Sequence, residues 1–379
     1  MELGIGMFGD SRIDPATGQI QAAQDRMKEI IEEIKLMDQV GLDFFGIGEH
    51  HREDYAVAAP EIILAAASTV TQKIKLGSAV SVLSSADPVK LFQDFATVDL
   101  LSDGRVELMA GRGSFIESFP LFGYDLKDYA DLFEEKLELL LRLNKQNPVT
   151  WRGNFRAPLI NQEIFPRPKN GSLPIWVAVG GTTSSVIRAG KLGLPVMFAI
   201  IGGMYESFDH LFEMYRQAYE DNGHDMSKFQ VGVHMHAFFG DNSAQIADYY
   251  YPIYSAQMNR IGASRGWPPY QKTQYDFGRS SRGHLIVDSR MLGLKLLTDP
   301  RWANIAEGNL EEILTDHAWC EQKAASNAIS LITNNSEHED LVHELTAIAI
   351  EEMEHFKMVI DIIKERGYTL GRERKDDYV

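Results

Sequence analysis

The sequence has little cysteine, little positive charge and no long apolar run. Cys320 is the one cysteine among 379 residues, so no disulfide can form within the chain and nothing demands an oxidising compartment. No apolar stretch reaches the roughly 18 residues needed to cross a bilayer, and the N-terminus lacks the basic start and apolar core of a secretory signal. We therefore expect a cytoplasmic protein with no membrane partner.

The shortage of basic residues leaves a net charge of −17, from 54 acidic and 37 basic side chains. A surface of this sign repels nucleic acid and anionic lipid, so tRNA is not an expected partner. The excess of acidic residues is distributed unevenly along the chain, because residues 288–379 alone carry 19 acidic and 10 basic side chains. This shift in composition predicts a domain boundary, with one domain over 1–287 and a second over 288–379.

Short apolar runs alternate with helix-length amphipathic segments in the first domain. The predicted strands are 3–8, 43–48, 74–80, 105–111, 173–180, 194–200 and 229–239. Continuous apolar runs are typical of strands buried on both faces of a parallel sheet. Seven strand–helix repeats predict an α/β fold, and a TIM-type (β/α)8 barrel is favoured over an open doubly wound sheet. No strand candidate follows Val287, so the barrel is expected to lack its normal eighth strand.

Two further segments depart from this alternation. Residues 148–172 form a longer connection than usual, which predicts a β-rich excursion near the pocket mouth or a plain structural linker. After Val287, the segments 309–332 and 339–367 are long and amphipathic, and they predict a C-terminal hairpin of two helices.

Polar clusters follow several predicted strands, at the end where barrel active sites form. The run GEHHRED contains His50 and His51, and we expect one imidazole to line a pocket as acid, base or hydrogen-bond donor, unless both only satisfy loop hydrogen bonds. Gly111, Arg112 and Gly113 predict a flexible turn that carries a cation, useful near a phosphate or flavin carbonyl, although a lone turn of this kind is equally often structural.

A second group of clusters concerns phosphate binding. Gly180, Gly181 and Thr182 lead into a predicted helix, and free N–H groups at a helix start form an anion site, although Thr also caps helices without any ligand. Small residues over 78–88 would let a planar ring approach the backbone, and Gly202 lies in another turn that exposes backbone. Together the clusters predict a pocket for a phosphate-bearing cofactor with a flat ring.

The strings LDFFGIGEHHREDYAVAAPEIILAA, SAVSVLSSADPVKLFQDFATVDLLSDGRVELMAGRGSF and LPIWVAVGGTTSSVIRAGKLGLPVMFAIIGG resemble the luciferase-like flavin monooxygenases, to about Val287. The resemblance implies a β/α barrel that uses reduced FMN and molecular oxygen to insert one oxygen atom into a small organic substrate. A partner NAD(P)H-dependent flavin reductase would deliver the reduced flavin, some relatives use a deazaflavin instead, and the barrel would be a homodimer.

Carried over by motif, the resemblance assigns roles to the cluster residues. His50 would be the catalytic histidine beside the flavin, with His51 the second choice. The implied cofactor-binding residues are Ala79 and Ser81 along the ring, Gly111, Arg112 and Gly113 at its border, Gly180, Gly181 and Thr182 on the FMN phosphate, and Gly202 at the ring edge.

The C-terminal segment is similar to the start of the di-iron tRNA hydroxylases, whose fold is a ferritin-like helical bundle. The similarity includes the string IAIEEMEHFKMVIDIIKERGYTL. The resemblance implies half of such a bundle, with Glu321, Glu352 and His355 as half of an iron site. Three interpretations stay open: a tRNA hydroxylase fragment, an inactive chimeric or truncated protein, and two chains whose paired hairpins complete a four-Glu, two-His site.

Overall fold

The strands of the chain are short apolar runs that fall where the hydrophobic pattern predicts them. The computed structural model describes residues 2–13, 17–113, 115–200, 205–240, 242–263, 266–280, 284–288 and 310–372. In chain order the strands are β1 (Gly4–Met7), β2 (Phe44–Ile47), β3 (Lys75–Ser78), β4 (Ser81–Val82), β5 (Val106–Gly111), β6 (Val149–Trp151), β7 (Leu159–Gln162), β8 (Ile175–Val179), β9 (Val196–Ile200), β10 (Val231–Gly240) and β11 (His284–Asp288).

One large sheet carries most of these strands. Its path runs β1-β2-β3-β5-β8-β9-β10-β11, and β4 pairs with β5 off this path. Each pairing from β1 to β10 along the path is parallel. Within the described ranges no pairing joins β11 to β1, and Ile5 of β1 is 39% exposed. The fold is therefore a nearly closed parallel α/β barrel with a seam between its first and last strands.

Amphipathic helices alternate with the strands. In chain order they are α1 (Ala23–Val40), α2 (Pro60–Ser68), α3 (Pro88–Leu101), α4 (Ser118–Phe122), α5 (Tyr129–Lys145), α6 (Thr183–Leu192), α7 (Asp209–Asp221), α8 (Ser243–Ala263), α9 (Lys272–Ser280), α10 (Leu310–Asn334) and α11 (Glu339–Glu365). In α1 the stripe of Ile30, Ile34 and Met37 is buried. The helix ends at Gly41, whose φ of 82° is a left-handed conformation that glycine adopts without steric cost.

The predicted fold class is confirmed. All seven predicted strands are present, and the short strand β11 (His284–Asp288), which was not among them, joins the path before the described chain continues as helix at Leu310. What the described part of the barrel lacks is the pairing that would close the ring. The excursion at 148–172 does form an antiparallel hairpin, β6 with β7. Side-chain contacts join this hairpin to the N-cap of α3, through Arg156 and Asp87, and to α5, where Glu135 accepts a hydrogen bond from the backbone N–H of Asn154.

The structure divides into two compact units, Met1–Val287 and Asp288–Val379. In the second unit α10 and α11 pack against each other as the predicted hairpin, around buried Ala318, Val359 and Ile363. None of the helices in the described part of the chain has the length and apolar character needed to span a membrane.

Candidate functional site

His50 lies in the loop that follows β2, enclosed by aromatic rings. Its side chain is 7% exposed, and its ring centroid is 5.6 Å from Phe8, 4.3 Å from Tyr55 and 5.1 Å from Phe115. Neither ring nitrogen has a hydrogen-bond partner among the described residues. Burial, with a smaller contribution from neighbouring His51, lowers the pKa of His50 to about 4. The imidazole is therefore neutral at physiological pH and has both nitrogens available.

His51 is tied into the loop structure. Its Nε2 lies 2.9 Å from Oε1 of Glu49, whose Oε2 accepts a hydrogen bond of 2.7 Å from the backbone N–H of Val82. Glu49 thus links the loop after β2 to β4. His51 therefore already has a hydrogen-bond partner, whereas His50 has none among the described residues. This difference distinguishes the two histidines, which the sequence alone could not do.

The segment after β3 lies beside His50. The peptide bond between Ala79 and Val80 is cis, and Ser81 is fully buried with a hydroxyl that has no partner in the described residues. A Cβ placed on Gly48 would lie 3.0 Å from Nε2 of His50 and 3.5 Å from the carbonyl oxygen of Ala79. The imidazole edge and the start of the β3–β4 loop therefore flank the same glycine.

Two glycines at the end of β5 and just after it make room for that loop. A Cβ on Gly111 would approach the Val80 side chain to 2.5 Å, and a Cβ on Gly113 would approach Val82 to 2.8 Å. Gly113 also has a φ of 78°, which strains any other residue. Both glycines thus have a packing role, whatever their part in cofactor binding.

The turns after β5 and β8 meet through a side-chain contact. Arg112 donates a hydrogen bond of 2.9 Å from Nη2 to Oγ1 of Thr182, the N-cap residue of α6. Thr182 makes no capping hydrogen bond, and a Cβ on Gly180 or Gly181 would meet no atom within 4 Å. The start of α6 is therefore open, next to a guanidinium group. Gly202 lies outside the described residues.

A cavity of about 480 Å³ opens beside this cluster of loops. It is lined by Ile13, Gly18, Ile20, His51, Arg52, Glu53, Asp54, Glu117 and Arg260. Arg52 forms ion pairs of 2.9 Å with both Asp54 and Glu117, and Arg260 of α8 lies 3.8 Å from Asp54. Sequence reasoning missed Glu117 and Arg260, because nothing local distinguishes them from surface charges.

A second histidine site was also missed. His236 of β10 has its Nδ1 2.8 Å from the hydroxyl of buried Tyr254, and its ring lies 6.2 Å from that of Phe8. Burial raises the pKa of Tyr254 well above its usual range, so this phenol stays protonated. Phe8 thus contacts the rings of both His50 and His236, so the curvature of the sheet brings the segments after β1 and β2 close to β10.

The predicted metal ligands of the second unit also come together. Glu321 of α10 and Glu352 and His355 of α11 each offer one ligand atom, and these atoms all lie within 4.8 Å of one another. Nδ1 of His355 is 3.7 Å from a carboxylate oxygen of each glutamate. A hydrogen bond with Glu321 raises the pKa of Glu352. Two carboxylates and one imidazole are a donor set that suits iron.

Residues 286–378 match the family model of tRNA-(MS2IO6A)-hydroxylase, and residues 1–297 match that of luciferase-like monooxygenase. The chain is 30% identical over 186 residues to N-acetyl-S-alkylcysteine monooxygenase of Bacillus subtilis, which covers 48% of this chain and 53% of that protein. It spans about half to two thirds of the length of the first curated relatives it matches.

Two solved structures have a similar fold. A monooxygenase from Streptomyces bottropensis aligns with a TM-score of 0.64 and 23% identity, over 76% of this chain and 85% of that one. The oxygenating constituent of 3,6-diketocamphane monooxygenase from Pseudomonas putida, in complex with FMN, gives 0.58 and 20%, over 76% and 92%. The luciferase-like model matches residues 1–297, which is most of the chain, and the barrel fold agrees with it, so the chain belongs to the luciferase-like monooxygenase family.

Proposed function

We propose that the barrel unit is an FMN-dependent monooxygenase that acts on a small organic substrate. The observation that carries the proposal is the contact between Arg112 and Thr182, which joins two strand-end turns at the open start of α6. Through Glu49 and Val82 the loop with His50 is held at the same edge of the sheet. Ligand sites of parallel barrels form at this edge.

The open turn supports a phosphate anchor. A helix N-terminus combines free N–H groups with partial positive charge, and Arg112 adds a full positive charge next to it. Space for the anion exists because Gly180 and Gly181 present no side chain and face no atom within 4 Å of their missing Cβ. We infer that Arg112, Gly180, Gly181 and Thr182 hold the FMN phosphate.

The surroundings of His50 support a site for the flavin ring or the substrate. Bound reduced FMN would supply the electrons with which molecular oxygen reacts. A neutral imidazole donates one hydrogen bond and accepts another, so His50 would orient a polar group placed against its unpartnered nitrogens. The rings of Phe8, Tyr55 and Phe115 would exclude water from that contact.

The substrate and partners of this activity are proposed by class only. The relatives act on molecules as different as an N-acetyl-S-alkylcysteine and a diketocamphane, to judge by their names. The cavity beside His51 carries two arginines and three carboxylates, so a polar group of the substrate would lie there. A separate NAD(P)H-dependent flavin reductase would supply reduced FMN, and the barrel would act as a homodimer.

Gly180→Val tests the phosphate anchor. A Cβ at position 180 meets no atom within 4 Å, so the fold should be retained, and we expect the branched side chain to occupy space that the phosphate needs. We expect FMN affinity to fall at least about tenfold, the equivalent of one lost charge-assisted hydrogen bond. Fluorescence titration of FMN measures it, with Lys191→Ala in the last turn of α6 as the control. Equal affinity in both variants and the wild type would contradict the anchor.

A second candidate function concerns the helical hairpin, where the cluster of Glu321, Glu352 and His355 favours iron binding. The two carboxylates would neutralise the charge of the cation and the imidazole would complete its ligands. We expect purified protein to contain iron, and Glu352→Ala to lose most of it, because one of three ligands is removed. Elemental analysis decides this, with exposed Glu351→Ala as the control. Iron at background level in the wild type would remove the candidate.

A further inference from the structure

The cavity beside His51 contains two arginines that differ in their hydrogen bonds. Arg52 is fully engaged, because its guanidinium donates to both carboxylate oxygens of Asp54 and to Oε1 of Glu117. Arg260 makes no hydrogen bond with any described residue, and its ion pair with Asp54 spans 3.8 Å. The N–H groups of Arg260 are therefore open to a bound molecule.

The carboxylates that line the same cavity are less available. Asp54 is buried, and each of its oxygens accepts a hydrogen bond from Arg52. Glu117 uses Oε1 for Arg52, and its Oε2 is buried without a partner among the described residues. Glu53 is exposed, so solvent and salt screen its charge. The two arginines balance the charges of Asp54 and Glu117, and the group left to recognise a ligand is the guanidinium of Arg260.

The lining of the cavity is apolar in part. Ile13 and Ile20 are half-buried, an antiparallel bridge joins them, and both line the cavity together with Gly18. The volume of about 480 Å³ is within the range of small-molecule sites. A molecule with an anionic head and a short apolar body matches this combination of an open cation and apolar walls.

One aromatic ring separates this cavity from His50. The guanidinium carbon of Arg52 lies 5.1 Å from the centre of the Phe115 ring, and that ring lies 5.1 Å from the imidazole of His50. Burial raises the pKa of Tyr55, which packs on His50, to about 12, and Arg260 is one of the cations that oppose this rise. A molecule held by Arg260 is thus within the length of a short carbon chain of His50.

We propose that Arg260 binds the carboxylate of the substrate, so that the substrates of the barrel unit are small carboxylic acids with an apolar body. The inference deepens the proposed monooxygenase function and rests on it, because that function makes the bound molecule a substrate. A guanidinium group binds a carboxylate through two parallel, charge-assisted hydrogen bonds, which a neutral amide or an alcohol does not accept as strongly. Arg260 thereby selects the substrate by its head group, and the apolar end of the substrate extends toward His50.

Three probes of equal chain length separate the charge of the head group from the shape of the molecule. Octanoate, octanamide and octylamine share an apolar chain, and their heads are anionic, neutral and cationic at neutral pH. Calorimetric titration of the full-length protein measures their affinities, with and without saturating FMN. We expect octanoate to bind at least about tenfold more tightly than octanamide, the equivalent of one charge-assisted hydrogen bond, and octylamine to bind most weakly.

Variants of Arg260 show whether this side chain causes the preference. Arg260→Gln should lower the affinity for octanoate about tenfold and leave the affinity for octanamide unchanged, which also shows that the variant is folded. Arg260→Lys keeps the charge without the paired donors and should retain part of the preference. Arg216→Gln on α7 is the matched control, because Arg216 is an exposed arginine paired with Glu213 and Glu220, and it should bind all three probes as the wild type does.

Several results would overturn the proposal. They are equal affinity of the wild type for octanoate and octanamide, a preference for octylamine, no saturable binding of octanoate, and a preference for octanoate that survives Arg260→Gln. The titrations without FMN keep this test apart from the proposed function. An Arg260-dependent preference for octanoate in a protein that binds no FMN would support the carboxylate site and overturn the monooxygenase proposal alone.

Discussion

At the scale of the residue, His50 lies in a charged stretch of sequence that is typical of a surface loop, but its side chain is buried in the fold. It follows a strand in a run of charged residues, yet it packs against Phe8 and Phe115, which come from other loops. Its pKa of about 4 follows from that burial. The sequence could identify the histidine by its place after a strand, but not its aromatic surroundings, because those depend on how three loops meet.

Burial of a neutral His50 predicts an acid-sensitive fold. The unfolded side chain takes up a proton near pH 6.5 and the folded one only near pH 4, so stability falls as the pH drops through that window and is level above it. The loss amounts to about 3 kcal/mol of the free energy of unfolding. Urea unfolding at pH 7.0 and 4.5 measures it, and His50→Gln should lose less between the two than the wild type.

Exposed His210 of α7 supplies the control for that measurement. His210→Gln should keep the full acid-dependent loss of the wild type. An equal loss in His50→Gln and the wild type would show that another group causes the acid sensitivity.

At the scale of the element, one carboxylate fixes the turn that enters β3. Asp38 near the end of α1 accepts hydrogen bonds of 2.7 to 3.0 Å from the backbone N–H groups of Gln72, Lys73 and Ile74. Burial raises the pKa of Asp38, but these bonds outweigh it and lower the pKa below its ordinary value. The stabilisation is therefore present at neutral pH and is lost as the pH falls through the lowered pKa.

Replacement of this carboxylate should uncouple α1 from β3. We expect Asp38→Ala to lower the free energy of unfolding by about 2 to 3 kcal/mol, because three N–H groups lose a charged acceptor. Chemical denaturation at pH 7 measures the loss. Glu32→Ala, which removes only an exposed ion pair of 3.5 Å with Lys35, should cost less than about 0.5 kcal/mol. Equal losses in the two variants would contradict this account of the turn.

Most elements of the barrel could be predicted because their signals are local. Continuous apolar runs marked the seven strands, all of which the structure contains. β11 was not predicted because it is a run of five residues that ends where the composition changes. The arrangement of α10 and α11 was predictable from their long apolar periodicity, but the distances within the metal cluster were not.

At the scale of the whole molecule, the chain joins a monooxygenase barrel to a hairpin that matches a different family model. Each unit brings its own candidate chemistry, a flavin cradle in the first and a metal cluster in the second. Composition predicted this division, because acidic residues are concentrated after residue 287. The expectation of a barrel without its normal eighth strand agrees with the seam, because no pairing within the described residues joins β11 to β1.

The central claim is that the loops leaving the parallel strands hold a flavin by its phosphate, and the comparison of FMN with riboflavin tests it most directly. Riboflavin has the same ring without the phosphate, so the ratio of the two affinities isolates the anchor at Arg112 and α6. We predict that the wild type binds FMN at least about a hundredfold more tightly than riboflavin, and that Arg112→Ala reduces this ratio about tenfold while riboflavin affinity stays unchanged. Equal affinity of the wild type for the two flavins would contradict the account.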